Sequence, residues 1–313
     1  LKAIAFFQNG LGNFILMMPS LAAVASMTDE KKIDVCTDAS WKDCRRPAVE
    51  LLCKNWGVVG KFINYPSDRL DPKDYEIWYF TLHGVNGSNI VNVFKNNMRR
   101  IVPRPRWRES GIHESEYYET VARSMGYEGE MPMVDFPFAD APILDLPRPI
   151  IGLCNGYFRV SNHYWDAKGW PHFTRFSKVV ERYFGGSVVG VGLEGELPPE
   201  IHLAANFAGK LNILETAKVI SQLDLLVTTD TGLMHLANLI GAPMIALFGP
   251  TLTTKNAPKA KSSTVLQMGI SCSPCQDSVR WFKCKTNNCM QGITVGDVVA
   301  AAKEKLDVNR NYT

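Results

Sequence analysis

Hydrophobic positions along this chain switch between two periods. Short apolar runs of strand length occupy residues 3–7, 33–37, 59–65, 76–80, 150–154, 187–192, 225–227 and 244–248. They are rich in β-branched and aromatic residues and bounded by Gly, Pro, Asn or Asp, which predicts buried strands. Helical spacing marks residues 14–27, 46–56, 113–125, the segment that follows Pro171 as far as Phe184, and then 213–223, 233–240 and 294–306. Strand alternating with helix predicts an α/β protein with parallel sheets. One stretch breaks the rhythm. Residues 131–149 hold Pro132, Pro137, Pro142, Pro147 and Pro149 without a helical period, the composition of a linker. The expected division is 1–148, 149–293 and a terminal helix over 294–313.

The densest chemistry lies in residues 224–251. A polar cluster, Thr228, Thr229, Asp230, Thr231 and Gly232, separates the strand at 225–227 from the helix at 233–240. Gly241 and Pro243 stop that helix, and the next strand ends in Gly249, Pro250 and Thr251. A helix that starts directly after a strand presents unpaired backbone N–H groups and the positive end of its dipole. Thr231, Gly232 and Leu233 offer those donors, Thr229 and Thr231 add hydroxyls, and Gly232 admits an anion close to the backbone. His235, off the apolar face in the first turn, is placed to reach the same anion. The pattern predicts a phosphate site; an N-cap role for Asp230 is the plainer alternative.

Other segments fit that chemistry. Lys168, in Lys168–Gly169–Trp170–Pro171 ahead of an amphipathic helix, is an ammonium suited to neutralising a diphosphate. Glu194 and Glu196 follow the strand at 187–192, either one suited to a ribose hydroxyl. The same region spells Gly190-x-Gly192-x-x-Gly195, but Gly190 lies inside the strand, so the dinucleotide fingerprint fails in context and a dehydrogenase is disfavoured. Near the start, Gly10 and Gly12 allow tight backbone beside a ligand, with Asn13 next to them. Arg99, Arg100, Arg104, Arg106 and Arg108 crowd one loop, and clustered guanidinium groups favour phosphate or carboxylate partners. Arg104 and Arg106 are therefore assigned to an anionic acceptor, and His83, just after the strand at 76–80, is a candidate base on the acceptor side.

Composition sets limits. At 313 residues and 46% hydrophobic, the chain can bury two cores of ordinary size. A net charge of +3 is too small to argue for nucleic acid. No apolar run approaches the ~20 residues of a membrane span, and the start lacks a basic–apolar–cleavage pattern, so a soluble cytoplasmic chain is expected. No D-x-D triplet occurs, so a metal-held diphosphate is not expected. Cys36, Cys44, Cys53 and Cys154 are scattered, whereas Cys272-x2-Cys275-x8-Cys284-x4-Cys289 is a cluster. Zinc, two disulfides and free thiols all remain open for it.

The residues D-T-G-L-M-H-L-A followed by G-A-P-M-I-A-L-F-G-P-T resemble glycosyltransferase family 9, the heptosyltransferase-like enzymes. G-L-G-N-F-I-L-M-M-P at the start, K-G-W-P at Lys168 and the C-x-P-C of the cysteine cluster are similar to that family too. The resemblance implies a GT-B fold, two Rossmann-like parallel-sheet domains facing across a cleft, with the terminal helix packing back on the first. It implies inverting, metal-independent transfer of a sugar, heptose by family precedent, from a nucleoside-diphosphate sugar to a glycan or glycolipid acceptor, without a cofactor. A glycolipid acceptor implies peripheral contact with the inner face of a membrane. The donor set so implied is Gly12, Lys168, Glu194, Glu196, Thr229, Asp230, Thr231, Gly232, Leu233 and His235, and the catalytic set Asn13, Lys168, Asp230 and His235. Family members usually carry an Asp, the proposed general base, where this chain has Asn13. An amide cannot take a proton at neutral pH, so Asn13 is left to orient the acceptor. Two alternatives follow from that change: a catalytically inactive nucleotide-sugar-binding protein, or another GT-B enzyme such as a sugar-nucleotide epimerase.

Overall fold

The computed structural model describes all residues except Asp43, 82–101, Arg104, 157–165, Asp277, 279–283 and 311–313. Two compact units result, Leu1–Pro137 and Phe138–Thr313. The boundary falls inside the proline-rich stretch, before the expected 148/149. Its reason is local: the Leu144 N–H donates to Gln222 Oε1 at 3.0 Å, and Gln222 Nε2 donates to the Pro142 carbonyl at 3.0 Å. These bonds tie the end of the stretch to the second unit.

The first unit runs β1 (Ala3–Phe6), α1 (Leu11–Ser26), β2 (Ile33–Asp38), α2 (Arg46–Asn55), β3 (Val59–Tyr65), β4 (Ile77–Phe80) and α3 (Glu114–Ser124). Its sheet has the order β3-β2-β1-β4, every pair parallel. All of β1 is buried, as a central parallel strand covered on both faces requires. Helix α1 starts at Leu11, not at residue 14. Gly10 is its extended N-cap, and Leu11, Gly12 and Asn13 form the first turn instead of a loop. First-turn N–H groups have no intrahelical acceptor to satisfy, so Gly12 interrupts no ladder there. The buried Ser20 hydroxyl donates to the Tyr118 carbonyl at 2.6 Å and holds α1 against α3.

The second unit runs β5 (Ile150–Cys154), α4 (Phe173–Val179), β6 (Ser187–Gly190), β7 (Ala205–Asn206), α5 (Ile213–Ile220), β8 (Leu225–Thr229), α6 (Gly232–Leu239), β9 (Met244–Phe248), β10 (Ser263–Gln267) and α7 (Val295–Arg310). The sheet order is β10-β9-β8-β5-β6-β7, again parallel throughout. The chain builds outward from β5 through β6 and β7, then returns to the other side of β5 with β8. Sheets of this order hold ligands beyond the carboxyl ends of their strands, where the direction reverses. Here that point lies between β5 and β8. Strand β6 stops at Gly190, short of the expected 192, because Gly192 turns the chain at φ +122.

The terminal helix contributes to the second unit. Val298, Ala301, Ala302 and Leu306, on one face of α7, are buried in the second unit's core with Val227, Ile245, Leu247, Met290 and Ile293. Its apolar stripe covers the second unit's own sheet. The same core holds Trp170, fully buried, its ring edge-on to Phe173 at 5.0 Å. Trp170→Ala should cost about 3–5 kcal/mol of unfolding free energy in urea; a loss below about 1 kcal/mol would mean the loop around Trp170 is not anchored by this ring.

Candidate functional site

Four strand ends of the second unit supply one cluster. Asn155 and Gly156 follow β5, Glu196 follows β6, Asp230 and Thr231 follow β8, and Thr251 follows β9. At its centre Lys168 Nζ donates to the Asp230 carbonyl at 3.0 Å and pairs with Asp230 Oδ2 at 3.1 Å. The two side chains are 9% and 3% exposed, so the pair is buried. His235 Nε2 stands 3.9 Å from Asp230 Oδ1. Burial by itself pushes the Asp230 carboxyl up, but the Lys168 ammonium and then His235 outweigh it and hold the group below the usual carboxylate range. The Thr251 hydroxyl, fully buried and outside hydrogen-bond geometry, adds a smaller pull in the same direction.

Asp230 is therefore not the cap of α6. That position belongs to Thr231, extended at φ −144, and no side chain caps the helix. The first-turn N–H groups of Gly232 and Leu233 have no intrahelical acceptor, and Thr231, Gly232 and Leu233 are all half-buried. The result is an open, positively polarised turn suited to an anion. His235, expected off the apolar face, is buried in the same turn and faces Asp230. Helical spacing three residues past Gly232 carries its side chain inward.

The loops are fixed by groups that motif reading did not single out. The Trp170 N–H donates to Asn155 Oδ1 at 2.9 Å, and Asn287 Nδ2 donates to the Gly169 carbonyl at 2.8 Å. Trp170 Nε1 donates to the Ile293 carbonyl at 2.8 Å. The stretch after Lys168 is thus bonded on three sides. Thr229, buried, donates its hydroxyl to the Gly156 carbonyl at 3.3 Å. A Cβ on Gly156 would lie 2.2 Å from Thr231 Cγ2, so the loops after β5 and β8 can approach only over a glycine. Lys255, also buried, lies on the short helix after Thr251. No motif pointed to Asn155, Asn287 or Lys255, because their positions depend on contacts across the fold.

Of the two candidate acids, Glu194 is exposed and Glu196 is buried. Glu196 Oε2 accepts the Leu193 N–H at 2.8 Å. Burial pushes its carboxyl up to about 7, against the smaller opposing pull of that N–H. Behind it, burial and then the Glu196 charge push the Cys154 thiol up to about 12.

In the first unit Gly12 and Asn13 are half-buried on the opening turn of α1, and Asn13 Nδ2 donates to Glu114 Oε1 at 2.6 Å. Arg106 is exposed and pairs with Glu109 at 3.5 Å. His83, Arg99, Arg100 and Arg104 lie outside the described residues. Among the described residues no disulfide joins the cysteines; Cys272 and Cys284 are exposed and Cys275 and Cys289 buried. Among the described residues no group of three or more His, Cys, Asp or Glu is placed to hold a metal ion, and no helix is long and apolar enough to cross a membrane.

Residues 135–286 match the family model for glycosyltransferase family 9 (heptosyltransferase). The lipooligosaccharide heptosyltransferase 2 of Haemophilus influenzae is 34% identical over 134 residues, 39% of this chain and 37% of that protein. That alignment spans little more than a third of the relative's length. The lipooligosaccharide heptosyltransferase 2 of Campylobacter jejuni is 24% identical over 69% of this chain and 70% of its own. Among solved structures, E. coli ADP-heptose LPS heptosyltransferase II aligns with 99% of this chain and 100% of its own at a TM-score of 0.68 and 18% identity. This likeness gives the chain the GT-B fold.

The raised Glu196 carboxyl has a measurable consequence. Folding favours its neutral form, so the folded state loses stability as pH rises from 4.5, the ordinary value, through about 7. Glu196→Gln should remove that loss. We expect the variant to be more stable than wild type at about pH 8, by on the order of 2–3 kcal/mol, and nearly equal at about pH 4. Equal stability at both values in urea unfolding would show that Glu196 is solvated.

Proposed function

We propose that this chain, whose residues 135–286 match the model for glycosyltransferase family 9, is an enzyme of that kind and transfers heptose from ADP-heptose to a lipopolysaccharide core acceptor. The observation that carries the reading is the open turn of α6 backed by the buried Lys168–Asp230 pair. A nucleoside diphosphate carries its charge on phosphate oxygens, and a helix N-terminus at a sheet switch point is built to receive them.

In the proposed reaction an acceptor hydroxyl attacks the anomeric carbon from the side opposite the diphosphate. The new C–O bond forms as the bond to the diphosphate breaks, and the electron pair leaves with the phosphate. Configuration inverts because one displacement occurs. The leaving charge develops against the N–H groups of Gly232 and Leu233, with Lys168 close behind; preorganised donors of this kind stabilise it without reorganisation. Asp230 orients Lys168, its carboxylate engaged by the ammonium. Glu196, turned inward beside the β6 end, suits a ribose hydroxyl. The protein's own dipoles and the ammonium supply the positive field, so the reaction is written without metal or cofactor. A glycolipid acceptor brings the chain against the inner face of a membrane, and exposed Arg106 suits its phosphate groups.

A second reading rests on Asn13. With an amide where a carboxylate base is expected, the chain would bind the nucleotide sugar and leave it intact. Transfer assays with ADP-heptose and core acceptors separate the two: turnover supports the enzyme, tight donor binding without turnover the binding protein.

Two results are expected. ADP-heptose at about 100 times its Kd should stabilise the native chain by about 2.7 kcal/mol, read as a raised melting temperature; no shift with any ADP-sugar removes the donor site. Lys168→Ala should lower turnover roughly 10²-fold, while EDTA leaves the wild-type rate unchanged. Near-normal turnover of that variant, or activity lost on chelation, would place the positive field elsewhere.

A further inference from the structure

Glu114 is the first residue of α3 and is 1% exposed. Its Oε1 accepts hydrogen bonds from Asn13 Nδ2 at 2.6 Å and from the Tyr118 hydroxyl at 3.1 Å. A carboxylate oxygen accepts and does not donate, so the contact settles which end of the Asn13 amide points inward. The NH2 group faces Glu114, and Oδ1 faces the other way. Gly10 gives an independent sign of this orientation. A Cβ built there would lie 3.4 Å from Asn13 Oδ1 and 2.8 Å from an Arg45 guanidinium nitrogen. The amide oxygen thus borders the loop between β1 and α1, beside a cation, with the carboxylate one hydrogen bond behind it.

The same sheet edge carries two buried polar atoms that lack hydrogen-bond partners, Gln8 Oε1 after β1 and Thr37 Oγ1 near the end of β2. Orphaned buried oxygens cost free energy unless a ligand or water meets them. Two donors on one carboxylate oxygen, the Asn13 amide and the Tyr118 hydroxyl, favour the charged form of Glu114.

We propose that Glu114 is a positioning residue for sugar transfer: through its bond to Asn13 it holds the amide with Oδ1 toward the acceptor hydroxyl and polarises that oxygen. Asn13 then accepts the hydroxyl's hydrogen bond and aligns its lone pair for attack, without taking the proton. The assignment rests on the glycosyltransferase reading above.

The test is a cycle of three variants, Glu114→Gln, Asn13→Asp and the double exchange, assayed for transfer and for melting temperature. Glu114→Gln should lower kcat about tenfold or more with the acceptor KM within about threefold. Asn13→Asp alone sets two carboxylates in direct contact, so it should melt lower and transfer no faster than wild type. The double exchange restores an amide–carboxylate bond with the roles swapped and should recover both melting temperature and turnover. Unchanged kcat in Glu114→Gln, or an Asn13→Asp variant as active and stable alone as in the double exchange, overturns the proposal. Should Glu114→Gln fail to fold, the comparison of Asn13→Asp with the double exchange decides it alone. Wild-type protein that transfers no sugar defeats the glycosyltransferase reading itself; a normal kcat in Glu114→Gln beside an active wild type defeats only this inference.

Discussion

Taking an ammonium and a carboxylate out of water costs several kcal/mol per ion, and their attraction recovers this only in good geometry. Lys168 and Asp230 meet the condition: the ammonium touches both the carboxylate and the backbone carbonyl of one residue, 62 positions away in sequence. A pair of this kind is a weak source of stability. Its effect is to fix where a positive charge stands relative to the β8 strand end. The bonds around Gly169 and Trp170 serve the same end, since a lysine on a mobile loop would average its charge over several ångströms.

The parallel sheet makes that placement possible. Strands β5, β6, β8 and β9 run the same way, so the segments leaving them emerge along one edge and their side chains can converge. The return of the chain past β5 opens a gap between the loops after β5 and β8, and Gly156 lets those loops meet at its floor. A side chain at residue 156 would separate them, and the open turn of α6 would lose the wall opposite it.

Much of this was legible in the sequence, for identifiable reasons. Buried parallel strands are near-continuous apolar runs, so β5, β8 and β9 stand out without alignment, and the polar cluster between two of them marks a strand end. The direction of individual side chains was not legible. His235 was expected off the apolar face of its helix; it is buried, with Nε2 3.9 Å from Asp230 Oδ1. The choice between Glu194 and Glu196 depended on the positive φ of Gly192 and Gly195, which local spacing does not encode. The contact between Asn13 and Glu114 spans 101 residues, so no local pattern could show it.

The two units share one arrangement of charge. In each, a buried carboxylate is held by a partner from a distant stretch of chain, Asp230 by Lys168 and Glu114 by Asn13. In each, the groups on the more open side are neutral: backbone N–H donors on α6 and an amide on α1. Charge in a low-dielectric interior acts more strongly over a few ångströms than it would in water. A charge placed one layer back therefore polarises the neutral group in front of it while remaining shielded from counter-ions. A neutral group so polarised can meet a ligand without first shedding a tightly held hydration shell. A surface lysine or aspartate at the same positions would be more visible in the sequence, but water would screen most of its field.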